Sequence, residues 1–256
     1  MIIENLGSTE RYKETMRLLT LADGNGEIPK KINRIFLLPI PTSKDSVHLT
    51  GTDRLTREIF DCVGEGDFLA GYDIKNEDKK KMRRLGAFVY DAADDERFLS
   101  LNCSATAIGA LGYLLSTSKK LPEDTKTAII GYGRIGRELT RLLLFLGAQI
   151  KIYTGNKMQC IELCECGVDT HLVKWSEPLP LYGFDLIINT APTDLGASFP
   201  EKKIPSGMRV IELASGNNFG DIDGIERLPG IPDKYFPKSS GRIYYECIMK
   251  YLGGGL

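Results

Sequence analysis

The segment that most constrains the fold is 125–156, which reads TKTAIIGYGRIGRELTRLLLFLGAQIKIYTGN. It predicts an apolar strand, a glycine-rich turn, an amphipathic helix and a second strand, and the turn has the pattern G-x-G-x-x-G at Gly131, Gly133 and Gly136. In dinucleotide-binding units the first glycine permits the tight turn, the second lets the backbone approach the pyrophosphate, and the third lets the helix pack closely on its strand. The segment therefore predicts a Rossmann unit that binds a dinucleotide; a Rossmann unit without a nucleotide is the alternative.

The end of the second predicted strand bears on which dinucleotide binds. NAD sites usually place Asp or Glu there, roughly 20 residues past the glycines, to bind the ribose 2′-hydroxyl. This chain has a hydroxyl, an amide and a cation instead, at Thr154, Asn156 and Lys157, and Arg134 in the glycine turn adds a second cation. We therefore expect NADP, with NAD as the alternative. Lys157 also fits an ordinary exposed residue at the start of the next helix.

The rest of this half of the chain continues as alternating strands and helices. Segment 184–190 is almost continuously apolar, as a strand buried in a parallel sheet must be, and 209–214 is another such strand. Ligands of open parallel sheets bind beyond the carboxyl ends of the strands. The cofactor site is therefore predicted at those ends, comprising Gly131, Tyr132, Gly133, Arg134, Ile135, Gly136, Thr154, Gly155, Asn156, Lys157, Thr190, Ala191, Pro192, Ala214 and Ser215.

The first hundred residues predict a second, smaller α/β unit that lacks the glycine pattern. We therefore predict an α/β protein of two Rossmann-like, doubly wound units. The substrate-side unit spans 1–103 and is completed by a C-terminal helix at about 241–256, and the NAD(P)-binding unit spans 104–240. A helix at 104–116 is expected to cross between them.

Composition excludes several other classes of protein. With 33 Lys and Arg against 34 Asp and Glu, and one short basic run at 79–84 on a predicted surface helix, the chain predicts no nucleic-acid partner. We expect no membrane span and no signal peptide, and hence a cytoplasmic protein. The six cysteines are expected to be free thiols. Cys160, Cys164 and Cys166, with His171, lack the paired spacing of zinc sites, so no metal is expected.

Short sequence blocks over most of the chain carry a family resemblance. They are Leu38-Pro39, the stretch NCSATAIG at 102–109, the glycine turn, NTAP at 189–192, ELAS at 212–215, LPGIP at 228–232 and PKSSG at 237–241. Together they resemble the A subunit of dipicolinate synthase, which makes dipicolinate in sporulating bacteria. The last two blocks are the most specific, because generic Rossmann dehydrogenases lack them.

The resemblance implies an NADP-linked oxidation of a dihydrodipicolinate-type ring to the aromatic dicarboxylate, with a flavoprotein, the B subunit of the same enzyme, as partner. The protein would orient the ring and bind its two carboxylates. Lys238 is the first candidate for this, as the only cation in the closing block, although an ordinary surface lysine is the alternative. The full set of substrate-binding candidates is Thr42, Ser43, Thr106, Lys238 and Ser239, where Thr106, with Ser104, is expected at a helix N-terminus. We also expect a homo-oligomer.

Two departures from the family pattern keep other functions open. Ile108 stands where the family usually has Glu, and 216–220 replaces an Arg-Pro-Gly-Gly-like turn. A nucleotide-binding subunit that has lost catalysis and serves in regulation or assembly is therefore an alternative. A D-2-hydroxyacid dehydrogenase is disfavoured, because that class needs a substrate-binding Arg and a late-chain His–carboxylate pair, and the only histidines are His48 and His171.

Overall fold

A computed structural model describes residues 1–254 of the chain, which form two compact units. The first unit comprises Met1–Asn102 and the residues from Pro232 onward, and the second comprises Cys103–Ile231. The prediction instead assigned 232–240 to the cofactor unit. The structure places these residues with the first unit because they form most of one helix and the beginning of the next, which packs on the first helix of the chain.

The first unit contains a four-stranded parallel sheet with the strands in sequence order, β1-β2-β3-β4. The strands are β1 (Ile2–Asn5), β2 (Arg34–Leu37), β3 (Asp67–Gly71) and β4 (Phe88–Asp91). The helices are α1 (Glu10–Gly24), α2 (Thr56–Cys62), α3 (Asn76–Arg84) and the beginning of α4 (Glu96–Thr117), together with α7 (Ile231–Tyr235), whose first residue the division leaves in the second unit, and α8 (Pro237–Gly254).

Both faces of this first sheet are buried. Ile35 and Phe68 belong to a core cluster that includes Tyr244 of α8, whereas their neighbours Phe36 and Leu69 belong to a separate cluster. Successive strand residues point to opposite faces, so the two clusters are the two covered sides of one sheet.

The second unit contains a six-stranded parallel sheet in the order β10-β9-β8-β5-β6-β7. Its elements are β5 (Lys126–Ile130), α5 (Arg134–Phe145), β6 (Gln149–Thr154), α6 (Lys157–Glu165), β7 (Asp169–Leu172), β8 (Leu186–Asn189), β9 (Arg209–Glu212) and β10 (Ile225–Arg227). Counted from β5 as the first strand, this is the 3-2-1-4-5-6 order of dinucleotide-binding Rossmann units. The predicted α/β class with two parallel, doubly wound sheets is confirmed.

Helix α4 differs from its prediction. It begins at Glu96 rather than at residue 104, because the Asp95 carboxylate caps it by accepting hydrogen bonds from the N–H groups of Arg97 and Phe98. Ser104 and Thr106 therefore lie inside the helix, and the expectation that they mark a helix N-terminus is wrong.

Helix α4 also bears on the expectation that the chain has no membrane span. Among the helices within residues 1–254 it alone is long and apolar enough to cross a membrane, with a mean hydropathy of 1.5. The sequence was expected to contain no apolar stretch of this length, and α4 has one by length and composition alone. One such helix is weak evidence of a span, however, because core helices of soluble proteins have the same properties.

Candidate functional site

The three glycines after β5 differ in the space that surrounds them. Gly131 has a φ of 91°, which favours glycine, and a Cβ there would lie 2.9 Å from the Ala191 Cβ and from the Thr190 Oγ1. A Cβ at Gly136 would overlap the carbonyl oxygen of Gly131. Around Gly133, by contrast, an added Cβ would meet nothing within 4 Å. Two glycines thus permit close packing, and the third borders open space.

That open space lies at the beginning of α5. Gly133 is the N-cap of this helix and provides no side chain to accept hydrogen bonds from the first-turn N–H groups. Such N–H groups, aligned with the helix dipole, bind phosphate oxygens well. The turn therefore fits a pyrophosphate. Arg134, the first helical residue, is exposed, while Arg137 donates a hydrogen bond to the Tyr132 carbonyl and lies 5.3 Å from the centre of the Tyr132 ring.

The structure brings the end of β8 against the glycine turn. The Thr190 hydroxyl lies 3.0 Å from the carbonyl oxygen of Ile130 and 3.1 Å from that of Gly131, so it donates within the turn. Ala191 is buried, and Pro192 is exposed beside it. Thr190 and Ala191 were predicted at this edge, and here they shape the turn.

A buried polar pair joins the ends of β8 and β9. The Asn189 Nδ2 donates to the Glu212 Oε1 at 2.9 Å, and the same carboxyl oxygen accepts from the Ala214 N–H at 3.0 Å. Glu212 is 3% exposed, and burial raises the pKa of its carboxyl, an effect opposed by hydrogen bonds from Asn218, Asn189 and the Ala214 N–H. This pair fixes the loops that contain Ala191, Ala214 and Ser215. Sequence reasoning saw the block at 212–215 but not the role of its carboxyl.

The end of β6 differs from the expected 2′-phosphate site. Thr154 is buried, and its hydroxyl donates to the Gln159 side chain at 2.8 Å while it accepts from the Asn156 N–H. The Asn156 side chain caps α6 by accepting from the N–H groups of Met158 and Gln159. The hydroxyl and amide are thus used by the helix start, because an Asn before a helix satisfies its free donors. Lys157 remains exposed at this edge, next to the exposed Gly155.

The candidates in the 41–45 loop lie near the carboxyl end of β3. Thr42 is 2% exposed, and both its N–H and its hydroxyl bond the backbone of Tyr72, just past β3. Ser43 is partly exposed and donates to the Asp45 carboxylate at 3.1 Å. Thr42 therefore holds the loop in place, and Ser43 is the more accessible of the two.

The other substrate-binding candidates lie on helices. Lys238 and Ser239 are exposed in the first turn of α8, directly after Pro237, and the Lys238 charge helps to lower the pKa of Glu14 after the larger effect of Arg17. Thr106 is nearly buried inside α4, in the second unit. The structure therefore places Lys238 and Ser239, but not Thr106, at a helix N-terminus.

Two pairs of polar side chains in the first unit were missed by sequence reasoning. Arg11 is 2% exposed, its Nε lies 2.6 Å from the Asp233 carboxylate, and its Nη2 donates to the Asn102 side chain. These positions are distant in the sequence, and only the fold brings them together. His48 has its Nδ1 2.7 Å from the Asp45 Oδ2, and hydrogen bonds from the ring and from the N–H groups of His48 and Val47 lower the pKa of the Asp45 carboxyl. The spacing of three residues was the available signal for this second pair.

Within residues 1–254, no group of three or more His, Cys, Asp or Glu side chains is arranged so that it could hold a metal ion. The cysteines considered for zinc, Cys160, Cys164 and Cys166, are free thiols on and just after α6.

The sequence of the chain is similar to that of a protein of known function. No protein-family model matches the chain. The A subunit of dipicolinate synthase from Bacillus subtilis is 27% identical to it over 159 residues, which are 59% of this chain and 53% of that protein. The chain resembles the A subunit of dipicolinate synthase. The match spans about half the length of that relative, and it confirms the resemblance inferred from the sequence blocks.

Solved structures extend the likeness to the whole fold. The A subunit of dipicolinate synthase from Bacillus halodurans, 22% identical, has a TM-score of 0.76 and the match covers 98% of this chain and 97% of that one. A transhydrogenase from Sinorhizobium meliloti, 12% identical, has a TM-score of 0.57 over 98% of this chain and 93% of its own. At these identities the structures establish a dehydrogenase-type fold.

Proposed function

We propose that this chain is an NADP-linked oxidoreductase of the dipicolinate synthase type, which converts a cyclic dihydro-dicarboxylate to its aromatic form. The observation that carries the proposal is the open space at Gly133, which faces the uncapped start of α5 in a chain similar to the A subunit of dipicolinate synthase. A pyrophosphate would approach the backbone at Gly133, while Gly131 and Gly136 allow the tight turn and the close packing of α5.

The second unit would contact the pyrophosphate, the nicotinamide and the adenosine end of the cofactor. The N–H groups of the glycine turn and α5 would bind the pyrophosphate, and the loops that the Asn189–Glu212 pair fixes would border the nicotinamide side. The exposed cations Lys157 and Arg134 support NADP over NAD, whereas Thr154 and Asn156 contribute through the shape of the α6 start. Bound nicotinamide supplies the hydride acceptor for the reaction.

The first unit would bind the substrate carboxylates. Lys238 and Ser239 combine a cation, a hydroxyl and the positive end of the α8 dipole, all of which attract a carboxylate. Ser43 is a further accessible hydroxyl in this unit. Thr42 and Thr106, both nearly buried, would act by positioning their surroundings. Aromatisation removes one hydride and one proton from the ring and provides the driving force.

Partners and location follow from the same proposal. A flavoprotein, the B subunit of the enzyme, would supply or share the substrate, the chain would act as a homo-oligomer, and the reaction would take place in the cytoplasm of a sporulating cell. The alternative is a nucleotide-binding subunit without catalysis. It is favoured by Ile108, which is 46% exposed on α4 and offers no carboxyl where the family usually has one.

Turnover separates these functions. Purified protein is mixed with NADP and freshly generated dihydrodipicolinate, and NADPH and dipicolinate are both quantified. We expect equal amounts of the two products, and a strong decrease in Lys238→Ala but not in Lys234→Ala, an exposed lysine nearby. Cofactor binding without turnover would support the noncatalytic subunit, and absence of cofactor binding would contradict both.

A further inference from the structure

The only tryptophan of the chain lies against the glycine that follows β6. A Cβ added at Gly155 would overlap the Trp175 Nε1 and would lie 3.1 Å from the indole Cε2 and 3.2 Å from Cδ1. Position 155 therefore accepts no side chain while the indole is in place. Trp175 itself is 37% exposed, so part of the indole is open to solvent.

The sheet determines where this indole lies. Strand β7 pairs with β6, with Leu172 opposite Thr154, and the Val173 N–H donates to the Thr154 carbonyl at 2.9 Å. Residues 173–175 therefore leave the sheet at its carboxyl edge, beside the end of β6. In Rossmann units this is the adenosine end of the dinucleotide site.

The indole changes what this end of the site can recognise. NAD sites usually present a carboxylate at the end of the corresponding strand, yet Thr154 is buried and bonded, and Gly155, although exposed, has no side chain and lies against the indole. Beside the strand end, in addition to the exposed Lys157, lies a partly exposed, flat aromatic ring placed against Gly155. Purine rings stack favourably on such rings.

We propose that Trp175 is the platform on which the adenine of the cofactor stacks. This inference rests on the proposed function and adds a cofactor-binding residue outside the glycine turn and the proposed phosphate-binding residues. The Trp175 ring contributes affinity for the adenine half of the cofactor and none for the nicotinamide half.

The test uses the two halves of the cofactor as separate probes. Calorimetry measures binding of NADPH, NADH, adenosine 2′,5′-bisphosphate and nicotinamide mononucleotide to the full chain and to Trp175→Ala, Trp175→Phe and Tyr182→Ala. Tyr182 is the matched control, an exposed aromatic residue of the same unit. Because the chain has one tryptophan, its intrinsic tryptophan fluorescence reports on Trp175 alone.

We expect Trp175→Ala to weaken NADPH and the bisphosphate roughly tenfold and to leave the mononucleotide unchanged, with a much smaller loss in Trp175→Phe and none in Tyr182→Ala. In the wild type the bisphosphate should change the tryptophan emission saturably. Equal binding of the bisphosphate by wild type and Trp175→Ala, or unchanged emission at saturation, would overturn the inference and leave the proposed function intact. Failure of the wild type to bind NADPH and NADH would overturn both.

Discussion

At the scale of single residues, alanine at Gly131 and alanine at Gly133 should affect the free energy of unfolding differently, although the two positions are only two residues apart. Gly131→Ala places a Cβ at a φ of 91° and against Ala191 and Thr190, so we expect the free energy of unfolding to fall by about 1–3 kcal/mol. Gly133→Ala has an ordinary φ of −77° and open space, so its unfolding free energy should stay within about 1 kcal/mol of the wild type.

The same two variants distinguish an effect on stability from an effect on cofactor binding. Because the Gly133 space is where the pyrophosphate is proposed to lie, Gly133→Ala should lose cofactor affinity while it folds normally. Urea unfolding without cofactor and calorimetry with NADPH measure the two quantities. A Gly133→Ala variant with wild-type affinity would show that the pyrophosphate does not approach this turn.

Glu212 predicts a pH dependence of stability. Burial raises the pKa of its carboxyl in the folded state, so the folded state binds the proton more tightly than the unfolded state does. This contribution to stability is fully present below the ordinary glutamate pKa and is lost as the pH rises through the raised one. Unfolding midpoints in urea, measured from about pH 4 to about pH 8, should show this decline in the wild type.

Glu212→Gln should lack that part of the decline, since its amide does not titrate, while the carbonyl oxygen can still accept from Asn189 and Ala214. The matched control is Glu201→Gln, an exposed glutamate of the same unit, which should follow the wild-type profile. Parallel profiles for wild type and Glu212→Gln would show that this carboxyl titrates normally.

At the scale of elements, the beginning of α6 predicts different outcomes for adjacent residues. Asn156→Ala removes the cap, so the free energy of unfolding should fall by about 1 kcal/mol, and Asn156→Asp should retain most of it. Asn156→Ala should weaken NADPH and NADH alike. Lys157→Gln should weaken NADPH more than NADH, because only NADPH carries the 2′-phosphate that the exposed amine would meet.

Paired calorimetric titrations of the two variants with NADPH and NADH test this. If Asn156→Ala loses more NADPH affinity relative to NADH than Lys157→Gln does, the Asn156 amide binds the 2′-phosphate, as the sequence alone suggested.

Element boundaries show where sequence reasoning succeeded and failed. The strands around the glycine turn were predictable because apolar runs and glycine spacing are local signals. The beginning of α4 was missed although Asp95 is an ordinary capping residue, because the small residues at 102–109 also fit the beginning of a helix. The beginning of α8 was also predicted too late, at about residue 241 rather than at Pro237. Pro237 was the available signal, because proline suits the first position of a helix.

At the scale of the whole molecule, the two α/β units and the parallel sheet that follows the glycine turn could be predicted from the sequence, whereas the hydrogen-bond partners of individual polar groups could not. Thr154, Asn156 and Thr42 have the chemistry of ligand-binding residues, but their hydrogen bonds go to nearby helix starts and loops. Such competition depends on backbone geometry that residue types do not encode. The Arg11–Asp233 and Asn189–Glu212 pairs were invisible for a related reason, because the partners are distant in sequence.

Binding of a nicotinamide dinucleotide by the second unit at the glycine turn can be measured by calorimetric titration of the full chain with NADPH, with NADH in parallel. We expect saturable binding of one NADPH per chain, weaker binding of NADH, and loss of both in Gly133→Ala. Absence of saturable binding of either dinucleotide to the folded wild-type protein would contradict the proposed dinucleotide site.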